Sequence, residues 1–323
     1  MTRTRTRILV LGGGYVGLYA TLMLQRKARK DVDITVLDRR PYMTYQPFLP
    51  EVAAGSIEPR HAVVPLRKEL SGVKVIQGRV TQIRHADRVV DAATDFGDTL
   101  HVEYDEVILA LGSVARTLPI PGLKEFAIGF KYVEEAINLR NRVLGRIARA
   151  ASTGDPRLRK RLLTLVFVGG GFAGIEAFAE TEDMAKAALR YYPEIDPKEL
   201  RFIMVEAMGR ILPELGPEMG EYAAKQMRAR GTEVLMETKL ESCVEGYVEL
   251  SNGDSFEADT VVWTAGVKPS PLMGKSDLPL GPKGHVICSP TLQVTTEEGD
   301  VVPGAWAAGD CAQVPDLTKE LPA

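Results

Sequence analysis

Cysteine is scarce in this chain of 323 residues: Cys243, Cys288 and Cys311 are all there is. No two of them form a Cys-x-x-Cys, and an odd count argues against a disulfide framework. A reducing, cytoplasmic compartment fits that usage. The four histidines, His61, His85, His101 and His285, lie far apart and show no metal-ligand spacing. An excess of positive charge is missing too. The formal net charge is −3, so no basic field points to nucleic acid. The densest cationic cluster, "RLRKR" at Arg157–Arg161, reads as a solvated loop ahead of a strand. Long hydrophobic runs are also lacking. Nothing approaches the ~18 apolar residues of a membrane span. The run "ILVLGGG" behind "MTRTRTR" is too short for a signal peptide and ends in glycines.

What the chain has is glycine in two similar places. Ile8–Leu11 is apolar and reads as a buried parallel strand. Gly12-x-Gly14-x-x-Gly17 follows, and then a stretch of helical composition. The first glycine permits a tight turn, the second lets backbone approach a pyrophosphate, and the third lets helix and strand pack closely. Phosphates would sit at the helix N-terminus, where N–H groups and the dipole favour negative charge. The next strand, "DITVLD", ends at Asp38, about 20 residues on, where a carboxylate accepts from a ribose hydroxyl.

The pattern recurs. "LLTLVFV" at Leu162–Val168 is followed by Gly169-x-Gly171-x-x-Gly174 and a long helix read from Ala173. Another strand, "RFIMVE", ends at Glu206, further on than the usual ~20 residues because the helix is long. A carboxylate there favours NAD over NADP, and Arg210 nearby could soften that preference. Two such units imply two dinucleotides, or a duplication with one site lost. Two dinucleotides in one chain serve to pass a hydride from a nicotinamide to a flavin.

Further segments carry a family resemblance. "RRPYMTYQPFLPEVAAG" resembles the stretch "NPYHLFTPLLYQVATG", "YDEVILALGS" resembles "YDxLIVATG", and "VVWTAGVKPSPL" resembles "WxAGVxxxPL". With "AWAAGDCA", their order over Arg7–Leu317 is similar to that of the type II NADH:quinone oxidoreductases, flavoproteins with two dinucleotide-binding domains. The resemblance implies an α/β fold of two Rossmann-like dinucleotide-binding domains. Residues 1–115 and 269–323 would form the FAD domain, and 116–268 an inserted NAD(H) domain entered through "RTLPIPGL". It implies FAD contacts at Gly12, Gly14, Gly17, Asp38, Arg39, Pro47, Val80, Ala110, Gly112 and Asp310. NAD(H) contacts would fall at Gly169, Gly171, Gly174, Glu206, Ala265 and Gly266. It also implies quinone as electron acceptor and leaves a homodimer open.

No cysteine occurs in "MTYQPFLPEV", where disulfide reductases of this fold carry Cys-x4-Cys. The three thiols read as structural, so the acceptor is a small molecule rather than an adjacent dithiol. An NADH-dependent reductase of a small redox protein such as a ferredoxin or rubredoxin is the second enzymatic reading. A non-catalytic NADH sensor is the third. Glu176 reads either as a first-turn carboxylate favoured by the helix dipole or, by the resemblance, as the catalytic residue that helps deliver a proton to reduced quinone. The aromatic loop Tyr42–Phe48 either covers the flavin edge or walls a quinone entrance. In the family a helix with an "AQxxxQ" pattern follows the Asp310 motif, and a further region gives peripheral attachment to the inner face of the membrane. The sequence shows no match to those parts, and quinone binding, membrane contact and flavin retention are expected to depend on them.

Overall fold

The computed structural model describes residues 5–28 and 32–317. The chain divides into two compact units, Met1–Thr44 with Val63–Val114 and Lys268–Ala323, and Tyr45–Ala62 with Ala115–Val267.

The first unit is built on a six-stranded sheet. Its order is Gln293–Thr295, Val301–Ala307, Glu106–Leu109, Thr6–Leu11, Val32–Asp38 and Lys74–Gln77. Only the edge strand Gln293–Thr295 runs antiparallel. The strand Thr6–Leu11 lies between Val32–Asp38 and Glu106–Leu109, so the chain order reverses there. That reversal makes a crevice beyond the carboxyl ends of the strands, where doubly wound sheets take their ligands. Residues 8–11 are all buried, as a strand covered on both faces requires. Leu9, Leu11, Leu37, Leu109 and Ala307 share one core, and Val10, Leu18 and Val36 another. A three-stranded antiparallel sheet, Arg79–Arg84, Val89–Ala93 and Thr99–Glu103, completes the unit.

The second unit repeats the plan. Its parallel sheet runs Ile128–Gly129, Thr260–Trp263, Thr164–Val168, Arg201–Val205, Glu233–Leu235. Every residue of Thr164–Val168 and of Thr260–Trp263 is buried. Phe178 of the helix Phe172–Ala188 meets Phe167 and Phe202 edge-on, with centroids 5.2 and 5.3 Å away. The segment Tyr45–Ala62 belongs to this unit by its contacts. Its short helix Leu49–Ala54 packs on Val133–Ser152 and on Phe172–Ala188. Gly55 ends that helix in the left-handed conformation, φ 72°, a role glycine fills without strain.

Two expectations are corrected. "RLRKR" is not a loop: Pro156–Leu162 is a helix, capped by the Asp155 side chain, which accepts from the amides of Arg157 and Leu158. Its arginines are paired, Arg157 with Glu257, Arg159 with Glu199 and Arg161 with Asp259. The local cap and Pro156 at the first position start the helix, and acceptors from distant segments pair its arginines. The second correction concerns Glu176. The helix begins at Phe172 and has no acidic residue in its first turn, so Glu176 lies in the second turn. The helix-end dipole fades within the first turn and gives it no special placement.

Candidate dinucleotide-binding sites

In the first unit the loop is shaped by its own backbone. Gly12 has φ 101°, and a Cβ there would stand 2.3 Å from Ala110 O. At Gly17 a Cβ would stand 1.8 Å from Gly12 O, so the helix Tyr15–Ala28 touches the turn with no room for a methyl group. At Gly14 a Cβ would meet nothing within 4 Å. The turn is therefore tight on its protein side and open at its middle glycine, where a phosphate group fits. Asp38 closes the loop from the neighbouring strand. Its Oδ2 accepts from Gly13 N at 2.5 Å and its Oδ1 from Arg40 N at 2.7 Å. Burial raises the Asp38 pKa above the usual carboxylate value, while the two amides and the charges of Arg40 and Arg39 pull the other way. Arg39 itself is exposed.

Other expected residues of this unit gather at the same edge. Gly78 N donates to Asp38 O at 2.8 Å, which brings the start of the strand carrying Val80 beside the acid. Val80 is itself buried in the core. Ala110 continues the Glu106–Leu109 strand, and Gly112, φ 59°, turns the chain after it. Asp310 accepts from the Ser113 hydroxyl at 2.6 Å. Pro47 lies exposed in the 3-10 turn Gln46–Phe48, within the second unit.

The second unit's loop follows the same plan. Gly169 has φ 112°, and a Cβ there would stand 2.8 Å from Ala265 N. At Gly174 a Cβ would stand 1.9 Å from Gly169 O and 2.6 Å from Thr264 Oγ1. At Gly171 it would meet only Glu214 Oε1, at 3.4 Å. Glu206 Oε2 accepts from Gly170 N at 2.6 Å and Oε1 from Met208 N at 2.7 Å. Glu206 is 8% exposed. The guanidinium of Arg210 donates to Pro213 O at 2.8 Å and is committed to its own loop. Gly266, φ 87°, takes a left-handed turn after Ala265, and its carbonyl accepts from Arg116 N at 3.1 Å.

Glu176 has company that the sequence did not reveal. Partial burial, and then the charge of Glu51 from the helix Leu49–Ala54, push the Glu176 pKa up, and the same two causes lead for Glu180. Glu51 Oε2 is buried without a hydrogen-bond partner. Its spacing from Glu176 in the chain hides this meeting of two helices. Thr264 was missed as well. Its hydroxyl donates to Val168 O and Gly169 O, at 3.0 and 2.9 Å, and braces the second loop. The three cysteines are all buried. Burial pushes the thiols of Cys243 and Cys288 up to about 11, and that of Cys311 upward as well.

Comparison with known proteins supplies the family. The family model for pyridine nucleotide-disulphide oxidoreductases matches residues 6–320. The type II NADH:quinone oxidoreductase Ndh of Mycobacterium tuberculosis is 30% identical over 322 residues, covering 96% of this chain and 68% of that protein. A type II NADH:quinone oxidoreductase of Staphylococcus epidermidis is 32% identical over 283 residues, covering 85% and 68%. The chain belongs to the type II NADH:quinone oxidoreductase family. The fold agrees. NDH2 of Plasmodium falciparum in complex with NADH superposes with a TM-score of 0.88 at 20% identity, covering 96% of this chain and 65% of that one. The chain thus spans about two thirds of the length of such type II NADH:quinone oxidoreductases. With the family come its two cofactors, FAD and NAD(H). The two loops fit them: each has an open middle glycine, a closed outer pair and an acid at the end of the adjoining strand.

Proposed function

We propose that this chain is an FAD-dependent NADH dehydrogenase that passes electrons to a quinone. The observation that carries the reading is the doubled loop, in which the same glycine contacts and the same acid-to-amide bond occur once in each unit. The first unit would hold FAD, with Gly14 open to its pyrophosphate and Asp38 available to a ribose. Arg39, Val80, Ala110, Gly112 and Asp310 line the rest of that site. The second unit would hold NADH, with Gly171 facing its pyrophosphate, Glu206 available to a ribose, and Ala265 and Gly266 at its border. The bound flavin supplies the step that takes up a hydride and gives up electrons one or two at a time.

The chain's own residues do the positioning. Helix N-termini at both loops face the phosphates with N–H groups and a positive dipole end. Glu206 repels a 2′-phosphate, and Arg210, held by Pro213 O, does not offset it; NADH is preferred over NADPH. Glu176 keeps a proton above the usual carboxylate range because of burial and Glu51, and it serves as donor toward reduced quinone. Tyr45, Pro47 and Phe48 present an exposed aromatic face for the acceptor. Among the described residues no helix is long and apolar enough to cross a membrane.

An absorption spectrum of the purified chain with FAD, repeated anaerobically after NADH, tests the reading. Flavin bands near ~450 nm should bleach promptly, and a short-chain quinone should restore them. Bleaching reversed only by a ferredoxin or rubredoxin would move the chain to the redox-protein reductases. FAD binding without bleaching would leave a nucleotide sensor.

A further inference from the structure

Two loops leave the carboxyl edge of the first unit's sheet side by side. Val301–Ala307 and Glu106–Leu109 are parallel neighbours, with Ala307 opposite Leu109. The pairing runs one residue further, because Ala308 N donates to Leu109 O at 3.2 Å. Cys311 Sγ then lies 3.4 Å from the same carbonyl. The turn between them needs Gly309, φ 77°, and a Cβ there would stand 3.0 Å from Val16 Cγ2 in the first turn of the helix Tyr15–Ala28. Asp310 is thereby set beside the Gly12 loop. On the other strand's loop, Ser270 N holds Gly112 O at 3.2 Å. The next residue is Ser113, 5% exposed, on the strand Ser113–Ala115.

We infer that Ser113 is a positioning residue for Asp310, its hydroxyl fixing the carboxylate where the flavin nucleotide binds. The inference rests on the FAD reading above. The Ser113 Oγ to Asp310 Oδ2 distance is 2.6 Å, within the range of a charge-assisted O–H···O⁻ bond. The two partners are unequal. Ser113 is buried on a strand, and its hydroxyl requires an acceptor. Asp310 is exposed, on a turn. The buried partner fixes the exposed one, and the carboxylate is held in one orientation before any nucleotide arrives. Pre-organisation of this kind raises affinity by removing an ordering cost from the binding step.

A double-mutant cycle on FAD affinity tests this, read by quenching of flavin fluorescence on the whole chain. Ser113→Ala should weaken FAD about tenfold, the worth of one charge-assisted bond. Asp310→Asn should weaken it at least as much. The double variant should be no weaker than Asp310→Asn, since a residue acting through another has nothing left to act on. Ser113→Thr keeps the donor on a strand that suits β-branched residues and should bind within about threefold of wild type. Wild-type affinity in Ser113→Ala, additive losses in the double variant, or a threonine variant as weak as alanine would each overturn the inference. If wild type takes up no FAD at all, the proposed function falls and this inference falls with it. If wild type binds and Ser113→Ala binds equally, only the inference falls.

Discussion

Two glycines of one loop should separate a packing role from a binding role. At Gly17 a Cβ would stand 1.8 Å from Gly12 O and 3.3 Å from Val10 Cγ1, whereas real Cβ contacts stay beyond 3.0 Å. Helix and turn would have to part by roughly 1 Å in an interior packed like an organic crystal. Better helix propensity gives alanine back about 1 kcal/mol, against ~1–3 kcal/mol for overpacking. The shift also carries the helix's first amides away, and a displacement of ~1 Å costs on the order of 100-fold in a positioned interaction. Gly17→Ala should therefore unfold more easily and bind FAD about 100-fold more weakly. Gly14 lacks a left-handed φ and has no atom within 4 Å of an added Cβ. Gly14→Ala should leave the melting temperature unchanged or slightly raised, yet still weaken FAD about tenfold or more, because the methyl group takes the pyrophosphate's place. Thermal melts and FAD titration of both variants make the check, with NADH binding by the second unit as an internal control. If Gly14→Ala holds FAD as wild type does, the open face at Gly14 is not the phosphate site. If Gly17→Ala melts and binds as wild type does, the contact between helix and turn is not the tight one described.

Glu206→Gln keeps the shape but leaves one of the amides of Gly170 and Met208 without its acceptor, facing the donor NH2. The ratio of kcat/KM for NADH over NADPH should fall about tenfold, and an unchanged ratio would show that Glu206 does not set the preference. His85 has its pKa lowered by burial first, and then by Arg88, against the opposing pull of Pro303 O, Asp277 and Glu106. Its ring lies 3.1 Å from Tyr104 Oη and 3.0 Å from Pro303 O. A base whose folded pKa lies below its unfolded value of 6.5 costs stability as pH falls through that window. Melting temperature should thus drop between pH 7 and 5.5 more steeply in wild type than in His85→Gln, and parallel curves would refute it. Buried thiols with raised pKa react slowly. A disulfide reagent at pH 8 should label none of the three cysteines quickly in the native chain and all three after denaturation; a fast native phase would contradict the burial.

The sites were legible where chemistry is local. Strand, glycine loop, helix, strand and acid follow each other in the sequence, and the bond from acid to loop amide lies within that run. The same holds for Glu206, whose long spacing is taken up by the helix Phe172–Ala188 and the turns after it. What stayed hidden depends on segments far apart in the chain. Glu51 reaches Glu176 only because Leu49–Ala54 packs on the helix Phe172–Ala188, more than a hundred residues further along the chain. Ser113 meets Asp310 only because two distant strands are neighbours. The pairing of the arginines of Pro156–Leu162 was hidden because their acceptors, Glu199, Glu257 and Asp259, are remote in sequence.

The strand Val301–Ala307 has a consequence for how the molecule is made. It is the late neighbour of Glu106–Leu109, and almost the whole second unit is encoded between them. On a ribosome the second unit's parallel sheet is fully synthesised by Trp263, while the first unit's sheet still waits for its last two strands. Closing so long an intervening segment costs little more entropy than closing a short one, since the cost rises only with the logarithm of length. It is slow, however, as non-local pairing is. Until that strand docks, the edge of Glu106–Leu109 stands open and Asp310 is absent. The nucleotide pocket that begins at residue 12 is thus completed only after the second unit's sheet has been made.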